Sequence, residues 1–158
     1  MADTKRIVET IETSDDPAQL RRFMANARQK KAAELYDLAF RRLLEVLPDP
    51  APGTVEGDMW RSVHALEQVL TEERGKAARL TRTRAKLTKG GAIPVLRDFD
   101  ANPELEGGFA LLIARKLAEF TGEAVVLRHA ASFAAEVVSA ARDRLEEAGV
   151  ETEAMGAA

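Results

Sequence analysis

The chain has 158 residues, no cysteine, and a formal charge of −3 from 23 Lys and Arg against 26 Asp and Glu. That length can bury a real core. The missing thiols exclude disulfides, thiolate metal sites and cysteine nucleophiles, with the cytoplasm as default compartment, and no run nears the roughly 20 apolar residues of a membrane span.

Ala, Leu, Glu and Arg dominate, which favours helix, and no useful stretch alternates with a period of two. The expected fold is therefore all-α. It has an N-terminal helical hairpin (1–47), a Pro/Gly linker (48–58), a C-terminal helical unit around a long central basic helix (59–150), and a flexible tail (151–158), the whole forming one compact domain. The charged N-terminus has no apolar h-region and is not a secretory signal.

Ile7, Val8 and Ile11 predict a short amphipathic helix over 3–13. SDDP then restarts the chain, with Asp15 or Asp16 as cap and Pro17 at the first helical position. Leu20, Phe23, Met24 and Ala27 make one apolar stripe, Asn26 to Lys31 a turn, and Ala32, Leu35, Tyr36, Ala39, Phe40, Leu43, Leu44 and Leu47 a second stripe. The small-and-aromatic pattern Ala32, Tyr36, Ala39, Phe40 resembles a tetratricopeptide second helix, but a solenoid needs several copies and one is present. The segment 48–58 carries three prolines and two glycines and reads as a linker.

Met59, Val63, Leu66 and Leu70 mark the next buried face, with Trp60 on its flank. Gly75 weakens this helix without necessarily ending it. Continued to Thr88, the helix would have Leu80, Thr83 and Leu87 as its inner seam and Arg79, Arg82, Lys86 and Lys89 on another face, with Gly90-Gly91 as the stop. Beyond it come a short helix or turn at 93–99 and a loop at NPELEGG. A largely buried helix follows with Phe109, Leu111, Leu112, Ile113, Leu117 and Phe120. Thr121 caps a segment that is helix or short strand, and Ser132 is the expected cap of a last helix closed by Gly149.

Charge is not spread evenly. Residues 74–97 hold eight cations (Arg74, Lys76, Arg79, Arg82, Arg84, Lys86, Lys89, Arg97) and no acid, so an acidic remainder of about −11 carries a +8 segment. Cations at helical spacing match a row of phosphates and give salt-dependent affinity with little base selectivity. Arg82 and Arg84 could also read guanine, and Thr81, Thr83 and Thr88 add hydroxyl donors. With no aromatic residue within the segment or after it until Phe99, stacking on single strands is disfavoured and duplex DNA is the expected partner. An acidic protein surface is the alternative, and a merely solvated face paired to Glu72, Glu73 and Asp98 is the plainest reading. Arg21, Arg22, Arg28, Lys30 and Lys31 form a second basic cluster that would widen the footprint.

Catalytic patterns are weak. His64 and Glu67 lie on one helical face, but a metal site needs three or four ligands, so a metal-dependent hydrolase is the least favoured option. His129 reads as a carbonyl cap or a solvent-facing residue. No serine stands in a nucleophile elbow, and no Walker or dinucleotide loop occurs. No cofactor and no catalytic residue is expected.

Several runs nevertheless resemble a helical region of uncharacterised bacterial proteins, some linked to HNH-type endonucleases. They are Leu20-Arg21-Arg22-Phe23, Ala39-Phe40-Arg41-Arg42-Leu43, Leu70 through Lys76, Leu80-Thr81-Arg82-Thr83-Arg84, Gly108-Phe109 and Leu127-Arg128-His129. The resemblance covers most of the chain and implies a DNA-targeting or accessory module. The zinc-and-histidine nuclease core has no counterpart here, so no catalytic residue is carried over.

Overall fold

A computed structural model of the chain describes residues 2–47, 53–153 and 155. Among the described residues the regular structure is α-helix and short 3-10 turns, with no strand, so the fold class is all-α. No helix among them is long and apolar enough to cross a membrane. The chain divides into two compact units, Met1–Asp49 and Pro50–Ala158.

The first unit comprises α1 (Ala2–Thr13), α2 (Pro17–Gln29) and α3 (Ala33–Val46). Asp16 caps α2 by accepting from the Ala18 amide at 3.0 Å, with Pro17 in the first turn where its missing N–H costs nothing. Leu20, Met24 and Ala27 of α2 and Ala39, Phe40 and Leu43 of α3 are buried. These two helices pack together as the expected hairpin.

The second unit is built around α4 (Val55–Arg74), whose Met59, Val63, Leu66 and Val69 are at most 2 % exposed. Thr54 caps it through the Gly57 amide, so the helix begins inside the expected linker, while residues 48–52 lie outside the described ones. The unit continues with α5 (Thr81–Gly90), α6 (Ala92–Arg97), α7 (Pro103–Ala114), α8 (Gly122–Arg128) and α9 (Ala135–Glu147); α6, α7 and α8 pack on α4, and α9 packs on α8. Asp58 of α4 accepts from Arg128 Nε (2.8 Å) and Nη2 (3.0 Å), and pairs with His129 Nε2 at 3.0 Å. His129 is thus a half-buried partner of Asp58 and not a carbonyl cap.

Further expectations are corrected. The long basic helix is two helices, because Gly75 adopts the left-handed conformation (φ +71°) and closes α4 there. The NPELEGG stretch belongs to α7, started by Asn102, whose side chain accepts from the Glu104 amide. Gly107 and Gly108 are therefore helical, and a Cβ at Gly108 would overlap the Leu66 side chain: the glycine is there for close approach to α4. Ser132 ends a 3-10 turn and α9 begins only at Ala135, leaving Phe133 outside that helix. In the expected tail, Thr152 is buried and donates to Glu146.

The same helix ending occurs three times with different residues at its left-handed position. After α2, α7 and α9 that position is Lys31 (φ 57°), Lys116 (φ 60°) and Gly149 (φ 85°). In each, the following amide reaches back to the helix: Ala32 to Ala27, Leu117 to Leu112 and Val150 to Leu145. A Cβ in this conformation costs about 1–2 kcal/mol, partly offset by glycine's greater unfolded-state freedom. Lys116→Gly should therefore raise the urea unfolding free energy by about 0.5–1 kcal/mol. A loss of stability would show that the Lys116 stem contributes packing that the backbone argument leaves out.

Candidate nucleic-acid interface

The basic segment is positioned by carboxylates that are not part of it. After Gly75 the chain runs extended along the last turns of α4, pinned at two points one turn apart. Thr71 Oγ1 accepts from the Ala78 amide (3.0 Å), and Glu67 Oε2 accepts from the Leu80 amide (2.8 Å). Ala78 and Leu80 are buried by this docking. Glu104 Oε1 then accepts from both the amide (2.8 Å) and hydroxyl (2.7 Å) of Thr83, to which Asn102 Nδ2 also donates. These acceptors satisfy the amides that open α5 and set its rotation, so that Thr83 and Leu87 point inward.

That rotation decides where the eight cations go. Arg74, Lys76, Arg79, Arg82, Lys86 and Lys89 are exposed, and none of them has an ion pair among the described residues. Arg79 lies in the extended stretch before α5, so the helical face consists of Arg82, Lys86 and Lys89 alone. Arg84 points the other way. Its Nε and Nη2 donate to Glu67 Oε2 and Oε1 at 2.7 and 2.6 Å, and its guanidinium lies 5.3 Å from the centre of the Trp60 ring. Arg84 is therefore not a free cation, and Thr83 is not a free hydroxyl. Arg97 is exposed but paired with Asp98 at 3.3 Å.

Burial pushes the Glu67 carboxyl up, but hydrogen bonds from Arg84 and the Leu80 amide, with the charges of Arg84 and His64, outweigh it and hold the group below the usual range. With both oxygens so used, Glu67 is no metal ligand in waiting. No group of three or more His, Asp or Glu among the described residues could hold a metal ion.

Of the acids expected to neutralise the segment, Asp98 pairs with Arg97, while Glu72 and Glu73 are occupied elsewhere. Glu72 and Glu73 both pair with Arg115, at 2.7 and 3.3 Å, and Glu72 also accepts from Gln68. Glu56 accepts from the Ala92 amide at 2.7 Å. What remains is six exposed cations over residues 74–89, three of them (Arg82, Lys86, Lys89) on α5, together with the exposed hydroxyls of Thr81 and Thr88. The second cluster, Arg21, Arg22, Arg28, Lys30 and Lys31, is exposed on the other compact unit.

Sequence reasoning singled out Glu67 only as a possible metal ligand beside His64, and it did not single out Glu104. For Glu67 a signal existed: it lies one turn beyond Val63 on the buried stripe, where a carboxylate requires a partner. Nothing local marked Arg84, 17 residues away, as that partner. Glu104 gave no signal, since its role depends on where α7 packs.

No protein-family model, curated protein or solved structure matches this chain.

Proposed function

We propose that this chain is a non-catalytic accessory module that docks on the phosphate backbone of duplex DNA through Arg74, Lys76, Arg79, Arg82, Lys86 and Lys89. One observation carries the reading: these six side chains are exposed without ion pairs among the described residues, while nearby carboxylates are committed to Arg84, Arg115 and backbone amides. Unneutralised, exposed cations release counterions when they meet phosphates, which is the main source of such affinity. The resemblance to a helical region linked to HNH-type endonucleases points the same way. Arg84 and Arg97 leave the proposed contact set, and reading of guanine falls to Arg82 alone.

The test is affinity for a generic duplex across a salt series. Six phosphate contacts give a slope of log K on log salt of about −5. Arg82→Glu with Lys86→Glu should weaken binding by about a hundredfold or more at low salt without changing the helical circular-dichroism signal. A flat salt response ends the proposal. Equal affinity for poly-L-glutamate at matched charge would transfer these cations to an acidic protein partner.

A further inference from the structure

Between α5 and α6, the surface is cut by a groove of about 410 Å³, within the roughly 300–1,000 Å³ usual for small-molecule sites. Its lining includes Pro94, Val95 and Asn102. Val95 is buried and Pro94 half-buried, so the floor is apolar. Asn102 offers a guest little, because its Nδ2 donates to Thr83 Oγ1 (3.2 Å) and its Oδ1 accepts from the Glu104 amide (3.1 Å). The charged lining consists of Lys86 and Lys89 from α5 and Asp98 after α6. Asp98 is already paired with Arg97, whereas the two lysines have no ion pair among the described residues.

We propose that this groove binds a small amphiphilic anion, with its apolar body on Pro94 and Val95 and one carboxylate or phosphate head between Lys86 and Lys89. Three residues apart on a helix, the lysines have Cβ atoms about 5–6 Å from each other, close enough for one head group to meet both. A wholly polar anion would leave the apolar floor wet, and a neutral apolar molecule would leave both ammonium groups without a partner. Asp98 repels an anionic head from its own side and so fixes which way the guest lies. The proposal goes beyond the duplex reading and does not depend on it, although Lys86 and Lys89 serve both.

The experiment titrates the full chain, followed by amide resonances in two-dimensional NMR, with octanoate, octyl phosphate, acetate, inorganic phosphate and 1-octanol. No nucleic acid is present, so failure here leaves the duplex proposal standing. Octanoate or octyl phosphate should move the resonances of residues 86–102, and the tighter of the two names the head group. Acetate, inorganic phosphate and octanol should bind at least about tenfold more weakly, since each supplies half of the required chemistry. Lys86→Gln with Lys89→Gln should weaken octanoate binding by about tenfold, and Asp98→Asn should tighten it roughly twofold. Acetate matching octanoate, or octanoate binding unchanged by the double substitution, overturns the proposal.

Discussion

Arg84→Ala should lower the urea unfolding free energy by on the order of 3 kcal/mol, while Arg82→Ala, the same loss of charge two residues away, should stay within about 0.5 kcal/mol of the parent. The difference follows from what each guanidinium touches. Arg82 is exposed and has no ion pair among the described residues. Arg84 holds both oxygens of Glu67, a residue only 8 % exposed, and removing it leaves a buried carboxylate with the Leu80 amide as its remaining short contact. The guanidinium face over Trp60 is lost as well, worth about 0.5–1 kcal/mol.

The deficit should also depend on pH. In the parent, Glu67 is held below the ordinary glutamate value of 4.5. Its stabilising contribution is therefore present above 4.5 and lost as pH falls through the lower folded value. Without Arg84 the main downward influence is gone and burial dominates, so the folded variant takes up a proton more readily than its unfolded chain. The gap between parent and variant should narrow as pH falls from 7 toward about 5. A gap independent of pH would show that the loss comes from packing alone.

The same pair of variants separates stability from binding. Arg82→Ala should reduce the salt slope for duplex by about 1, and Arg84→Ala should leave it unchanged. An equal reduction in both would contradict the assignment of Arg84 to the interior.

How far the sequence could be read follows from the range of the interactions that decide each feature. Caps and stripes are local: Asp16 with Pro17, Thr121, and the Leu20, Phe23, Met24, Ala27 stripe depend on neighbours within a turn or two, and they are found as expected, with Phe23 half-buried and the other three buried. The break after Arg74 is not local. A glycine there only permits the left-handed turn. What makes the extended stretch stable is that Thr71, Glu67 and Glu104 satisfy its amides and those of α5 from other elements. Gly107 and Gly108 misled for the same reason, because the contact with Leu66 that justifies Gly108 lies 42 positions away.

For the basic segment, composition was enough to find the cations. It could not sort them, since periodicity assigns a face only within an unbroken helix and α5 begins anew at Thr81. Arg79 and Arg84 are the two residues for which that restart changed the answer.

In a second buried pair the carboxylate's own contribution to stability has the opposite pH dependence. Arg144 of α9 donates from Nη1 to Glu106 at 2.7 Å, and its Nε lies 2.7 Å from Oε2 of Glu123, a charge contact not aligned as a hydrogen bond. Its guanidinium lies 5.0 and 4.7 Å from the rings of Phe99 and Phe109. Glu123 is 4 % exposed, and burial raises its carboxyl above the ordinary 4.5 despite its own amide and the close Arg144 guanidinium, which pull it down. Between 4.5 and that raised value the folded chain binds more protons than the unfolded one, so this group's contribution to stability is full below 4.5 and is lost as pH rises.

Arg144→Ala removes the opposite charge and should cost on the order of 3–5 kcal/mol at neutral pH. Much of that should return as the solution is acidified and Glu123 takes up its proton. Glu123→Gln in the Arg144→Ala background should restore stability at pH 7 and abolish the recovery on acidification, because the amide carries no charge to be left unpaired. Urea unfolding of the parent, both single variants and the double variant at pH 5 and pH 7 completes the cycle. If the Arg144→Ala deficit is as large at pH 5 as at pH 7, Arg144 acts through its stacking on Phe99 and Phe109, and Glu123 is not the group it serves.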